Sequence, residues 1–371
     1  MSDAGDVLAG CVLVITADRR KRELASALER RGATIAHAPA LSTISHLDDA
    51  ALVADTRALI DARPDVVVAT TGIGFRGWIE AADAAGLADP LLTVLSEARL
   101  IARGPKARGA IQAAGMQADW VAESETAAEL RDYLLAEGVD GLTIAVQHHG
   151  NGSDGLDEAF ADAGATVHSL VVYGWGPPVD PEAHRAGITA AATGRADAVL
   201  FTSAPGVEAW LAGVREAGAL ADIAALVEAG SLVLASVGPV TAAPLQEAGL
   251  RTCYPDRWRL GALVRELIKH FSDTSGAIPT ADGPLVIRAT AAILDGRVLP
   301  LTPTGLDILK ALAAAKGSVL TREQLGALLP GAQAGPHAVE AAINRLRDNA
   351  GSRALVRTVV KRGYALGVTG S

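Results

Sequence analysis

Two sets of side chains in this chain of 371 residues have types and spacings suited to anions. The first lies near the carboxyl end. His337, Ala341, Asn344, Arg345 and Arg347 flank or oppose a helical stripe of Val339, Ala342, Ile343 and Leu346, and the basic turn Lys361-Arg362-Gly363-Tyr364 follows. Amide and guanidinium groups on a helix face read base edges, and basic side chains on a turn grip phosphates. The second set is spread over short turns: Thr70-Thr71-Gly72, Gly104-Pro105-Lys106-Ala107-Arg108, His148-His149, Thr202-Ser203 and Gly238-Pro239-Val240-Thr241. Hydroxyls, bare amides and helix starts suit a carboxylate-bearing ligand, and Lys106, Arg108 and the histidines add charge-assisted donors. Such turns are also ordinary in any sheet of this kind. Neither set has metal-ligand spacing, a catalytic triad, a Walker loop or a full dinucleotide fingerprint, so no metal and no cofactor is expected.

The first set needs a scaffold that presents one helix and one turn together. Pro284 to Leu301 alternates apolar and polar residues around Asp295-Gly296, a hairpin signal. Thr302-Pro303 opens a helix with core positions Leu306, Leu309 and Leu312, and Thr321 with Gln324 has capping-box spacing. After the helix of the first set, Leu355 to Val360 reads as a strand leading into the basic turn. The order hairpin, LTPTGLDIL, LTREQL, VEAAINRLRDNAG, TVVKRGYAL resembles the OmpR/PhoB-type winged helix-turn-helix and spans 284–369. The resemblance implies double-stranded DNA as partner, the helix in the major groove, the wing along the phosphates, and a homodimer on repeated half-sites. Charge separates accordingly. From Pro284 onward there are 11 Lys+Arg against 5 Asp+Glu, whereas the preceding residues hold 22 against 37. If about six basic side chains meet phosphates, the log-log salt slope of binding is on the order of −5.

The second set sits on a duplicated scaffold. PDVVVATTGIGFRGW returns as ADAVLFTSAPGVEAW, with Asp65 and Trp78 matched by Asp197 and Trp210, 132 residues on. LIARGPKARGAIQAAG returns as LASVGPVTAAPLQEAG, with Gly104 and Gly238 134 apart. Short apolar strands alternating with helices mean two α/β halves with parallel sheets, whose ligand loops leave the carboxyl ends of the strands. VLFTSAPGVEAW, LASVGPVTAAPLQEAG and ATVHSLVVYGWGP resemble uroporphyrinogen-III synthase, the cofactor-free enzyme that closes a linear tetrapyrrole. The resemblance implies one domain from 8–39 with 174–271, a second from 40–173, and a polycarboxylate held between them. It also implies that Tyr173 assists loss of the leaving hydroxyl and that Thr202-Ser203 is a ligand turn. Residues 272–283, polar and punctuated by Gly and Pro, read as a linker to the winged helix. The chain departs from the family pattern at Ala107, at Thr70-Thr71-Gly72 and at His148-His149.

Composition sets outer limits. Half the residues are apolar and only 4% aromatic, which fits compact α/β cores and excludes an aromatic platform for single strands. The acidic amino terminus is no secretory signal and no run is long enough to span a bilayer, so a cytoplasmic protein without membrane contact is expected. Cys11 and Cys253 make no disulfide framework. The expected function is a transcriptional regulator whose synthase-like body senses a tetrapyrrole or polycarboxylate. Nitrate/nitrite assimilation is the suggested target and an actinobacterial origin the suggested source. The alternatives are an active synthase with an appended DNA-binding domain, in which Tyr173 is catalytic, and a scaffold that docks a second transcription factor.

Overall fold

The computed structural model describes residues 7–18, 21–45, 50–148, 154–273, 276–329 and 336–369. The chain divides into two compact units, Met1–Leu41 with Pro178–Ser371, and Ser42–Pro177. Strands β1 (Val12–Ile15) and β2 (Thr34–His37) open the first unit. The second holds β3 (Ser42–Ser45), β4 (Val66–Ala69), β5 (Arg99–Ala102), β6 (Trp120–Val121), β7 (Thr143–His148), β8 (Thr166–Val171) and β9 (Tyr173–Gly176). Strands β10 (Ala198–Phe201) and β11 (Val233–Ser236) return to the first unit, where they build lobe 1 with β1 and β2. The expected boundaries shift because β3 and β9 pair antiparallel, Ser42 opposite Gly176 and Ser45 opposite Tyr173. Both crossing strands therefore belong to the second unit, lobe 2, and the breaks fall after Leu41 and after Pro177.

Each lobe is a parallel sheet covered on both faces. Lobe 1 has the order β11-β10-β1-β2 and lobe 2 the order β6-β5-β4-β7-β8. Strands such as Val66-Val67-Val68-Ala69 and Ala198-Val199-Leu200-Phe201 are buried throughout, as unbroken apolar runs require when helices pack on both sides. Trp78 and Trp210 fill matching places beneath the two sheets. Among the described residues no helix is long and apolar enough to cross a membrane.

The repeat extends to the amino-terminal edges of the sheets. The Asp65 carboxylate accepts from Thr143 N at 2.8 Å, and that of Asp197 accepts from Val12 N at 2.7 Å. Each acid fastens its central strand to the next one. Tight turns precede those neighbouring strands, with Gly10 at φ 78° and Gly141 at φ 77°. A positive φ of this size favours glycine at both places.

The carboxyl-terminal domain starts earlier than the sequence suggests. Strand β12 (Ile278–Thr280) lies inside the stretch read as a linker and pairs with β13 (Gly283–Ile287). Strands β14 (Ala292–Leu294) and β15 (Arg297–Val298) complete a four-stranded antiparallel sheet, turning at Asp295-Gly296 with φ 50° and 75°. The helices Pro303–Ala314, Arg322–Gly326 and Pro336–Ala350 follow, then the wing strands β16 (Val356–Val359) and β17 (Gly363–Leu366). Leu309, Leu312, Val339, Ile343, Leu346 and Leu366 share one core with the β13–β14 pair, so the domain closes on itself.

Lobe 1 carries this domain on a polar seat. The Arg288 guanidinium donates to the carbonyls of Val7 and Ala9, both at 2.7 Å, and of Phe271 at 3.1 Å. Ala289 N donates to the Asp197 carboxylate at 2.9 Å, and Thr290 N to the Gly10 carbonyl at 3.1 Å. Lys310 Nζ reaches back to Ala289 O at 2.8 Å. A Cβ on Gly10 would lie 2.3 Å from that of Ala291, so the two backbones meet only because Gly10 has no side chain.

Candidate nucleic-acid interface and ligand loops

Helix Pro336–Ala350 buries Val339, Ala342, Ile343 and Leu346 and leaves His337, Ala341, Asn344 and Arg345 exposed. Its carboxyl end is secured by Arg297, whose guanidinium donates to Ala350 O at 2.7 Å, satisfying one of the carbonyls a helix end leaves open. Asn344 and Arg345 are adjacent, exposed and centrally placed, the arrangement that bidentate base reading requires. Asp348 shares the exposed face and offers no donor to a phosphate.

Two residues expected to touch DNA do other work. Arg347 is half-buried: its Nε and Nη2 donate to Val356 O at 2.8 and 2.6 Å, and Nη2 donates to Thr358 Oγ1 at 2.8 Å. It pins the wing to the helix. Tyr364 is only 4% exposed, and the guanidinium groups of Arg322 and Arg347 stand 5.7 and 5.9 Å from its ring centroid. Helical periodicity placed Arg347 beside the open face, but its length lets it fold back onto the strand. Tyr364 is covered because every residue of β17 is buried, with Tyr364 and Leu366 in the domain core. At the wing tip Lys361 and Arg362 are exposed as expected, and exposed Arg357 on β16 joins them, a cation the sequence reading passed over. Gly363 has φ 138°, and a Cβ there would meet Leu320 O at 2.0 Å, so the wing root passes where only glycine fits.

In lobe 2 the expected loop residues gather at the carboxyl ends of β4, β5 and β7, but several hydroxyls are already engaged. Thr70 Oγ1 donates to Gln147 O at 2.7 Å. Thr71 Oγ1 accepts from Gly74 N at 3.1 Å and caps the helix Gly72–Ala84. Gln147, fully buried and absent from the expected set, accepts from Thr71 N at 3.3 Å and donates to His148 O. His148 is also fully buried, its Nε2 2.9 Å from both carboxylate oxygens of Asp157 and its Nδ1 3.7 Å from Asp154. It therefore ties the end of β7 to the next helix. His149 lies outside the described residues.

Gly104 is the N-cap residue of helix Pro105–Ala113, and Lys106 and Arg108 stand exposed on its first turn. The cation electrostatically coupled to Tyr173 is Arg103, one residue before that glycine. Burial depresses its basicity, and Asp154, Tyr173 and Glu125 act in the opposite direction. Its counterpart in the other half is Val237, so the arginine replaces an apolar strand end; that mismatch in the repeat was the available signal. Tyr173 is buried and meets Trp175 edge to face at 5.4 Å. In lobe 1, Ser203 Oγ accepts from Gly206 N at 3.3 Å as the cap of helix Ala204–Glu216, beside half-buried Thr202. Gly238 caps helix Pro239–Glu247, within which Thr241 is buried, and the half-exposed Trp258 indole packs over Gly238. Both loop sets present helix amino ends, which favour anions.

The two cysteines are inert. Burial pushes the Cys11 thiol up to about 12 and that of Cys253 to about 11, so neither is a thiolate at neutral pH.

Comparison with known proteins assigns the two parts separately. Residues 22–265 match the family model for uroporphyrinogen-III synthase HemD, and residues 296–366 match the model for the C-terminal part of transcriptional regulatory proteins. The crystal structure of a mutant uroporphyrinogen III synthase from the extremely thermophilic bacterium Thermus thermophilus is 28% identical, with a TM-score of 0.56, covering 71% of this chain and 99% of that one. The uncharacterized protein YjjA of Bacillus subtilis strain 168 is 28% identical over 270 residues, 72% of this chain and 99% of that protein. The DNA-binding domain of Klebsiella pneumoniae RstA, solved in complex with the RstA box, is 26% identical over 24% of this chain and 96% of its own, with a TM-score of 0.22.

Proposed function

Because the chain belongs to the uroporphyrinogen-III synthase HemD family and also carries a transcriptional-regulator DNA-binding domain, we propose that it is a DNA-binding transcriptional regulator with a ligand-sensing body. The observation that carries this reading is the open face of helix Pro336–Ala350. Asn344 and Arg345 stand exposed there while Arg347 and Tyr364 hold the basic wing tip beside them. A helix and a wing fixed to each other make a surface that fits one groove and its flanking phosphates. The ligand class that suits the body is a tetrapyrrole or another polycarboxylate: each lobe by itself offers capped helix amino ends, and lobe 2 adds Arg103. Candidate targets are genes of nitrate/nitrite assimilation or of tetrapyrrole-dependent enzymes, read by two copies on repeated half-sites, with a second transcription factor as a further partner.

Genome-wide mapping of bound DNA tests the reading and names the pathway through the adjoining genes. On a duplex so recovered, Asn344→Ala and Arg345→Ala each weaken binding by about 1 to 3 kcal/mol where they read a base. Equal affinity for random duplex in wild type and both variants would refute it.

A second reading, a working synthase with an appended DNA-binding domain, is favoured by one observation: the family match runs through both lobes, over residues 22–265. Hydroxymethylbilane turnover by the purified chain, slowed in Tyr173→Phe, is its requirement. Absence of product leaves the regulator alone.

A further inference from the structure

The two helix-start glycines of the repeat, Gly104 and Gly238, are covered by different side chains. Gly104 in lobe 2 lies under Glu125, and a Cβ added to it would stand 3.1 Å from Glu125 Cγ. Gly238 in lobe 1 lies under Trp258, whose Cγ would be 2.9 Å from the added atom. Glu125 and Trp258 are themselves 133 residues apart, so they hold the same place in the two halves. Covering the glycine therefore does not require an indole. Lobe 1 nevertheless has one there and leaves it 47% exposed, the most open of the chain's five tryptophans. An indole left half in water forgoes the burial that normally rewards so large a side chain.

The surroundings select what the open ring suits. Its turn is Pro255-Asp256-Arg257-Trp258-Arg259, with Pro255 buried and the four residues after it exposed. Arg259 N donates to Arg257 O at 2.8 Å, a three-residue turn with Trp258 at its apex and an arginine before and after it. Gly238 follows the carboxyl end of β11, the side of a parallel sheet on which ligands bind. Strands β10 and β11 are neighbours, Phe201 opposite Ser236, so the Thr202-Ser203 turn leaves the sheet beside the Gly238 turn. An apolar partner would match the indole alone, and a simple carboxylate the arginines alone. A conjugated ring that carries carboxylates matches both, since ring faces stack on indoles and guanidinium groups take carboxylates by charge-assisted bonds.

We propose that Trp258 is a stacking surface in lobe 1 for a conjugated, carboxylate-bearing ring, with Arg257 and Arg259 meeting its carboxylates. The inference rests on the ligand-sensing reading of the body and narrows it: lobe 1 by itself selects the ring. Lobe 2 carries an acid at the equivalent place, which repels carboxylates and offers no ring face. Asp256 tempers the charge of the Trp258 turn and leaves it two cations against one anion.

The test uses the full chain, with uroporphyrin as a ring probe and propane-1,2,3-tricarboxylate as a ringless one, followed by calorimetry and by the uroporphyrin absorption band. Trp258→Ala is expected to weaken uroporphyrin binding by about tenfold or more and to abolish the red shift that stacking gives its band. Trp258→Phe keeps a ring and is expected to lose no more than about threefold. Tricarboxylate affinity should stay within about a factor of two in both variants, because neither removes a cation. Glu125→Ala should leave the red shift intact. Unchanged uroporphyrin affinity in Trp258→Ala overturns the inference and leaves the polycarboxylate reading standing. Equal losses for the two probes overturn it too, because the indole would then act only on the shape of the turn. Dissociation of a dimer in Trp258→Ala with uroporphyrin binding unchanged would assign the indole to a second copy instead. Binding of neither probe to the wild-type chain removes the polycarboxylate reading itself, and the stacking surface with it.

Discussion

Lobe 1 and lobe 2 place the same acid and the same glycine at the amino-terminal edge of their sheets, and one edge is covered while the other is bare. Asp197 and Asp65 each accept from the strand beside them at nearly equal distance, 2.7 and 2.8 Å. Only Asp197 also accepts from Ala289 of the DNA-binding domain. Gly10 has Ala291 against it, and Gly141 has nothing within 4 Å. A shared structural feature has thus been given a second use in one copy alone. The bare copy serves as an internal control for the covered one, since any substitution made in both separates the cost within the lobe from the cost to the contact.

The largest expected divergence comes from Gly10→Ala compared with Gly141→Ala. Both variants force a side chain into left-handed backbone and should destabilise their lobe by roughly 1 to 2 kcal/mol. Gly10→Ala also drives a methyl into Ala291, so the domain must leave its seat or shift the turn. Exchange at Ala289 N is expected to accelerate by at least a hundredfold in Gly10→Ala and to stay within a factor of two in Gly141→Ala. Equal behaviour of the two variants would mean that the contact at Gly10 yields without lifting the domain.

Much of this organisation was legible in the sequence, and the exceptions have definite causes. The duplicated halves, the parallel sheets and the winged domain follow from apolar runs, helix caps and turn residues that act locally, as Asp295-Gly296 and the Thr321–Gln324 capping box do. The reading went astray where a long side chain chooses among partners distant in sequence. Arg347 binds the wing instead of solvent, and His148 is locked on Asp157 instead of lining an open loop. The seat was invisible because it depends on Arg288 finding carbonyls some 280 positions away. Strand β12 was missed because its three residues include a proline and look like a linker until β13 pairs with them.

Acidity gives the next contrast in size. Burial raises the Asp197 carboxyl from 3.8 to about 6, so the docked state holds its proton more tightly than a released, solvated carboxylate does. The stabilising contribution is therefore fully present below the released value and is lost as pH rises through about 6. Over the whole window this is a factor of roughly a hundred in the docking equilibrium. The neighbouring cations are Arg288 and Lys310, both of which pull the Asp197 carboxyl down, and the Cys11 thiol at about 12 remains neutral. Intrinsic-rate-corrected protection at Ala289 N should fall between about pH 4 and pH 6, level off above, and be flat in Asp197→Asn. Protection at Thr143 N, which serves Asp65, should show no such fall. A flat wild-type profile at Ala289 would mean that the acid stays ionised in the seat.

The smallest effect belongs at the opposite edges, where the helix caps of the two lobes are alike. Thr71 and Ser203 each cap a helix through one hydrogen bond, to Gly74 N at 3.1 Å and Gly206 N at 3.3 Å. Replacing either by alanine removes a partner for one orphan amide and should cost about 1 kcal/mol, a few degrees in the melting of its own lobe. The loss stays local, because β10 between Ser203 and Asp197 is buried and paired in register with β1 and β11. Ser203→Ala should therefore leave exchange at Ala289 N unchanged while matching Thr71→Ala in its thermal shift. A faster Ala289 in Ser203→Ala would show instead that β10 carries a disturbance from the ligand loop to the seat.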